Sequence, residues 1–305
     1  MTKHIAHIEK RALIIGVIAN LVMAISGWAA FNLSGSEALL LDGNMSFILF
    51  ITTLVALKIT EIKSNKSDIF PFGLYVAEAL YSLMKGLLLL GVVISAISSN
   101  SSKVLSYWQG AEIEPIKTGV IVYYAIAMVV ICWGLSFFYH RQNKRINHNS
   151  SMLKVDQKSS FIDGILSAST GVILVVIGFI EPTSTFSPLL YIGDSILVII
   201  LALMMITQPI NIIKEAFVEL AGGKLQDTES YQDIKSKVES KFDAQTHHIT
   251  SLHISKTGSS YLVVIGLDLT KLNPNNQSTL INKKTQLHQE LVSSYPFIDI
   301  EMILT

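Results

Sequence analysis

Six separate stretches of this chain are apolar for about the 20 residues a helix needs to cross a hydrocarbon core about 30 Å thick. They run over residues 12–33, 38–59, 73–98, 117–139, 159–180 and 188–212. Helices that are apolar all round need lipid, or a very large protein interior, to cover them. Composition supports the membrane reading when taken by position. The chain of 305 residues is 50% hydrophobic and only 15% charged, against about a quarter charged in ordinary soluble domains. Charge is scarce from Ile14 to Ala216 and frequent on both sides of that block. The expectation is an all-α membrane domain of six transmembrane helices over residues 1–215, followed by a soluble domain over 216–305.

The N-terminal apolar run follows a basic start, MTKHIAHIEKR, as a secretory signal would. It is longer than a signal's apolar region and five more spans follow, so it reads as the first transmembrane helix. An even number of spans puts both termini on one side. Lys3, Lys10 and Arg11 precede the first span, and Lys58, Lys63 and Lys66 border the second connection. Arg141, Lys144, Arg145, Lys154 and Lys158 crowd the fourth. The third connection, SSNSSKVLSYWQGAEIEP, offers Lys103 alone, and the fifth, EPTSTFSP, has no basic residue. The positive-inside rule then places both termini and the soluble domain in the cytoplasm. With short loops and no organelle signal, the bacterial inner (plasma) membrane is the default. A formal net charge of zero gives no reason to expect nucleic acid, and one cysteine, Cys132, makes neither a disulfide framework nor a thiolate cluster.

Carboxylates inside spans are expensive and normally face the bundle interior. Asp42 and Ser46 are four residues apart, on one helix face. In VDQKSSFIDGILSAST, Asp156, Ser159, Asp163, Ser167 and Thr170 step by three or four and form a polar stripe along the fifth span. The natural neighbour of that stripe is the Asp42/Ser46 face. Two carboxylates meeting in a bilayer repel unless a divalent cation or a shared proton neutralises them, which makes Asp42 and Asp163 candidates for one ion site. The alternative is that each reaches interfacial water at a span edge. Glu78, Ser82 and Lys85 share a face of the third span, with Glu78 toward the interface and Lys85 deeper. Lys85 either snorkels or pairs with an acid on another helix. If that acid is Asp42 or Asp163, an ammonium already stands where a cation would bind. Asp194 reads as an interfacial or helix-start residue, Asn20 as a packing hydrogen bond, and Pro209 as a kink or end of the sixth span.

The soluble region reads as a helix (TESYQDIKSKVESKFDA) and two strands (ITSLHISKTG and SYLVVIGLDLT) joined by a turn at Gly258. A helix with Leu280, Leu287 and Leu291 on one side and a final strand, FIDIEMILT, follow. The order α-β-β-α-β predicts a small α+β sandwich. His247, His248, His253 and His288 lack metal-ligand spacing and read as surface residues, as do His140 and His148 in the basic loop. His4 and His7 make at most a weak site. No nucleophile–base constellation or phosphate loop points to an enzyme.

Taken together, several segments in order resemble the cation diffusion facilitator (cation efflux) family. SGSEALLLDGNMS is similar to its second-span motif, FPFGLYVAEAL to the start of its third span, and YIGDSILVIILALMMITQPINIIKEAFVEL to its sixth. LHISKTGSSYLVVIGLDL and SSYPFIDIEM resemble its tail strands. The resemblance implies a ferredoxin-like, metallochaperone-like cytoplasmic domain and a homodimer. It also implies proton-coupled efflux of a divalent cation (zinc, cobalt, cadmium or manganese) bound between spans two and five, with no resident cofactor. The family's four site positions fall on Asp42, Ser46, Ser159 and Asp163, so two ligands carry over as carboxylates and two are hydroxyls. Glu78, Lys85 and Asp156 are further pathway candidates. Without imidazole the site is all oxygen, which suits magnesium, manganese or calcium better than zinc. Asn44 is a candidate to complete it. In the tail, the family's histidine positions hold Gly266 and Ile303, so no zinc site is expected there. Two other readings remain: a partner or dimerising subunit that keeps the fold without transport, and a transporter of a non-metal substrate with Lys85 in its path.

Overall fold

The structure is a computed structural model that describes residues 2–71, 73–117, 119–146, 150–181, 183–242, 249–268 and 277–304, with backbone alone at 2–6, 151–152 and 277–278. His148, His247 and His248, and the side chain of His4, lie outside the described residues. Helices α1 (Thr2–Ser34), α2 (Glu37–Ile62), α3 (Val76–Trp108), α4 (Gly119–Arg145) and α5 (Ser151–Gly178) are each long and apolar enough to cross a membrane. The sixth crossing is made by α6 (Leu189–Met205) and α7 (Thr207–Leu220) together. They separate at Ile206 because Pro209 has no N–H to offer the turn before it, and its ring crowds the carbonyl four residues back. The sixth span therefore breaks three residues before the proline and continues to Leu220.

The third span is longer than its apolar stretch. SSNSSKVLSYW, expected as a connection, is helical to Trp108. No glycine or proline interrupts it before Gly110, and Asn100 Nδ2 donates to Ala96 O at 2.9 Å, so its amide serves the helix rather than a turn.

Small residues let the helices approach closely, as membrane packing favours. An ideal Cβ on Gly27 of α1 would stand 2.6 Å from Gly43 Cα of α2, and one on Gly171 of α5 would strike Ala125 of α4. Met23, Leu39, Met128, Cys132, Leu174 and Val198 fill the interior of the bundle. Ile18, Val130 and Val172 are 59%, 67% and 65% exposed and present apolar surface to lipid. This is an integral membrane protein.

The tail continues as α8 (Thr228–Lys241), β1 (Ile249–Thr257), β2 (Ser260–Leu267), α9 (Gln277–Val292) and β3 (Ile298–Leu304). The sheet order is β1-β2-β3, with β1 antiparallel and β3 parallel to β2. Ile234 and Val238 of α8 and Leu287 and Leu291 of α9 bury against Ile254, Val263 and Ile265. Burying each such side chain contributes about 1.5–3 kcal/mol. The expected α-β-β-α-β order and the small ferredoxin-like class hold.

The β1–β2 turn docks on the tail-side end of the membrane bundle through buried charge. Glu78 of α3 accepts from the backbone N–H of Ser259 and, at 3.0 Å, from its hydroxyl. Lys63, just after α2, bridges Glu78 at 3.0 Å and Glu9 of α1 at 2.8 Å, and all three side chains are at most 3% exposed. Burial alone would lower the Lys63 pKa; the Glu78 and Glu9 carboxylates outweigh it and raise it to about 12. Glu219 of α7 accepts from Gly258 N at 2.9 Å. Gly258 itself has φ +60°, and a Cβ there would lie 2.5 Å from Tyr75 O.

Candidate functional site

Asp42 sits on the second turn of α2 and Asp163 midway along α5. Together they line one cavity of about 40 Å³ between α2, α4, α5 and α6. Tyr124, Ser167 and Thr170 also line it. A water needs roughly 10–15 Å³ of such space, so the cavity has room for about three waters, or for an ion that keeps part of its shell. Both carboxylates are half-buried and line this space. Tyr124 Oη donates to Asp42 Oδ2 at 2.8 Å, and Ser167 Oγ donates to the same oxygen at 3.3 Å. These bonds tie Asp42 to α4 and α5, and Asp163 of α5 lines the same cavity. Hard oxygen donors in a small cavity are suited to a hard divalent cation.

The α5 polar stripe divides between two places. Asp163, Ser167 and Thr170 line the cavity, as the stripe and its expected neighbour suggest. Ser159 lies one turn toward the tail and opens instead onto a vestibule of about 540 Å³ between the bundle and the tail. Gln208 Nε2 of α7 donates to its hydroxyl at 3.4 Å. Ser46 is buried on α2 and does not line the cavity. Asn44 is engaged elsewhere, since its Oδ1 accepts from Trp28 Nε1 at 3.0 Å. Asn20, expected to pack by a hydrogen bond, keeps its Oδ1 unpartnered among the described residues.

Lys85 is fully buried, and its ammonium pairs with Asp156 on α5 rather than with Asp42 or Asp163. Neither cavity carboxylate has an ion pair among the described residues, so the cavity is not filled by a lysine. Glu78 belongs to the docking network and lines the vestibule, as does Ser82, whose hydroxyl donates to Glu78 O at 3.1 Å.

Asp194 has a role its sequence context did not show. From α6 it accepts from Ser36 Oγ at 2.9 Å and from the backbone N–H groups of Glu37 and Ala38. It caps α2 from another helix, since Ser36 makes no cap with its own side chain. The cap fixes the start of α2 a little over one turn before Asp42. Tyr124 is the other residue the sequence hid. Its only signal is a phenol, Tyr123–Tyr124, well inside an apolar span.

Among the described residues no three His, Cys, Asp or Glu side chains converge on a metal-sized point. In the tail, Gly266 and Ile303 are cross-strand partners in β2 and β3. A Cβ on Gly266 would meet the side-chain oxygens of Thr250 and Ser251 of β1.

The family model of the cation efflux transmembrane domain matches residues 13–221 of this chain, from α1 to the end of α7. No curated protein matches it.

Proposed function

This chain belongs to the cation efflux family, and from that premise we propose that it exports a divalent metal cation through the Asp42–Asp163 cavity in exchange for protons. Membership makes it a cation transporter; the ion, the coupling and the site are the further reading. One observation carries it: two carboxylates from different helices share a small internal cavity with hydroxyl donors and, among the described residues, have no ion pair. Two carboxylates this close do not both stay ionised without a positive charge between them. When the cation leaves, protons take its place, which is the exchange an antiporter needs.

Carboxylates and hydroxyls, with no imidazole and only the thioethers of Met45 and Met205 beside them, favour manganese or magnesium over zinc. Ser159 and Gln208 line the vestibule, one turn of α5 from Asp163, and we assign them to the ion's approach rather than to its final coordination. Ser46 supports α2 packing. The basic loops favour a cytoplasmic tail and termini, a division near residue 215 into membrane and cytoplasmic domains, and a plasma (inner) membrane location. The resemblance favours a homodimer.

Metal-driven proton flux in proteoliposomes tests the proposal, across Zn²⁺, Mn²⁺, Co²⁺, Cd²⁺ and Mg²⁺, with wild type beside Asp42→Ala and Asp163→Ala. Flux with at least one ion, lost in both variants, is the expected result. A non-transporting subunit that keeps the fold is favoured by the small number of strong ligands. Absence of flux with every ion, from folded protein, would establish that reading instead.

A further inference from the structure

The cavity and the vestibule lie back to back. On α5, Ile162 lines the vestibule and its neighbour Asp163 lines the cavity. On the sixth span, Met205 lines the cavity and Thr207 the vestibule, with the break at Ile206 between them. A thin wall, where α5 faces the α6–α7 break, therefore separates Asp163 from the vestibule.

One half of that wall is fixed to α3. Helix α3 packs chiefly on α6 and α7 and less on α2, whereas α5 packs on α4 and more lightly on α6. The α3–α7 contact is close at Gly86, where a Cβ would stand 2.8 Å from Ile213 Cγ1 and 3.2 Å from Pro209 O. A small residue at such a crossing lets two helices pack as one body. Helices α3 and α5 make little direct contact. Among the described residues two polar ties cross from α5 to the α3–α7 unit. Gln208 donates to Ser159 at 3.4 Å, which is long for a hydrogen bond. The other tie is the ion pair between Asp156 and Lys85, the residue next to Gly86.

Both side chains of that pair are at most 6% exposed. An ion pair so buried is a poor stabiliser beside well-packed apolar residues. It suits a contact that has to part. Ser82, one turn before Lys85, and Ser159, one turn after Asp156, line the vestibule. Charges that separate here come out into a space of about 540 Å³, ample for water, so opening strands neither of them in low dielectric. An apolar contact in the same place would be held shut by its own burial.

We propose that the Lys85–Asp156 pair latches a gate between the vestibule and the cavity. With the pair made, the α3–α7 unit lies against α5 and Asp163 is closed to the tail side. With the pair parted, the unit tilts from α5 and the wall at Ile162 and Ile206 opens. Lys85 and Asp156 are thus positioning residues that touch no cargo. That the traffic is a divalent cation rests on the Asp42–Asp163 reading; the latch rests on the two spaces and the pair.

Thiol access tests the latch without any metal. In full-length protein carrying Cys132→Ser, Ser167→Cys reports on the cavity and Ile162→Cys on the vestibule. A membrane-impermeant cationic methanethiosulfonate is added on the tail side of oriented vesicles. Asp156→Asn leaves Lys85 without its partner and speeds labelling at Ser167→Cys by about tenfold or more, while Ile162→Cys reacts at one rate with and without it. Replacing both members by apolar residues of similar size, Lys85→Met with Asp156→Leu, slows labelling at Ser167→Cys. A pair that only stabilises the fold changes Tm and leaves the Ser167→Cys rate the same in all three backgrounds, which overturns the proposal.

Should Asp156→Asn not fold, a covalent closure decides. With Cys132→Ser, Lys85→Cys and Asp156→Cys are joined by a short bis-methanethiosulfonate. Metal-driven proton flux then falls by about tenfold or more and returns with reductant. Flux that ignores the link overturns the latch. Flux absent from wild type with every ion overturns the cation reading alone, and labelling of the apolar double variant against wild type still decides the latch.

Discussion

Replacing Lys63 with methionine removes a buried cation that joins the α2 end to α1 and α3. Lys63 is 3% exposed and bonds Glu9 at 2.8 Å and Glu78 at 3.0 Å. Glu78 keeps its bonds from Ser259, but the two carboxylates lose the charge that separates them. Removing one partner of a buried pair costs about 3–5 kcal/mol, because an uncompensated charge stays behind. At about 2–4 °C per kcal/mol for a chain near this size, Tm falls by about 6–20 °C. The protein supplies its own reporter: Cys132 is free and buried, so a thiol-reactive dye brightens as the bundle opens. Lys58→Met is the control, since its contact with Glu61 at 3.6 Å is exposed and worth about 0–1 kcal/mol. Adding Glu9→Gln and Glu78→Gln to Lys63→Met recovers most of the loss. Because the Lys63 pKa is raised in the folded protein, to about 12, its contribution is complete below the unfolded value of about 10.4. It disappears only as pH rises from there through about 12. A Lys63→Met shift no larger than that of Lys58→Met would refute the reasoning.

Gly258→Ala forces a Cβ against Tyr75 O at a φ of +60°. The left-handed backbone alone costs about 1–2 kcal/mol, and the hairpin is expected to undock, which faster tryptic cleavage at Lys224 with an intact tail fold would register. Asp194→Ala uncaps α2, and amide hydrogen exchange at Glu37 and Ala38 rises while that of the α5 backbone does not. Tyr124→Phe removes the hydroxyl that orients Asp42 and weakens cation binding by about 10–100-fold, as loss of a supporting hydrogen bond does at metal sites; an unchanged Kd would remove Tyr124 from the site.

The spans were legible because hydrocarbon demands long apolar runs and permits few charges. The tail was legible because two amphipathic helices and an alternating hairpin around Gly258 leave few arrangements. The meeting of Asp42 with the α5 stripe also followed from helical spacing. What spacing could not give was height. Ser159 and Asp163 share a face, yet one turn puts Ser159 in the vestibule and Asp163 in the cavity. Partner choice was hidden for a related reason. Lys85 could pair with an acid on any of several helices, and only the assembled bundle, with α3 packed on α2, α6 and α7, brings its ammonium to Asp156 of α5. Tyr124 and Asp194 act on a different helix from their own, so no local pattern announces them. The extension of α3 to Trp108 is not legible in the pattern, because the polar residues mark the end of the hydrocarbon and not the end of the helix.

Crystals of the full chain grown with Mn²⁺ and measured by anomalous scattering at the manganese edge test the central claim most directly. The account predicts one strong peak per chain inside the cavity, within about 2.6 Å of carboxylate oxygens from both Asp42 and Asp163, and its loss in Asp42→Asn and Asp163→Asn. A peak that persists in both variants, or that lies only in the vestibule or the tail, would contradict it.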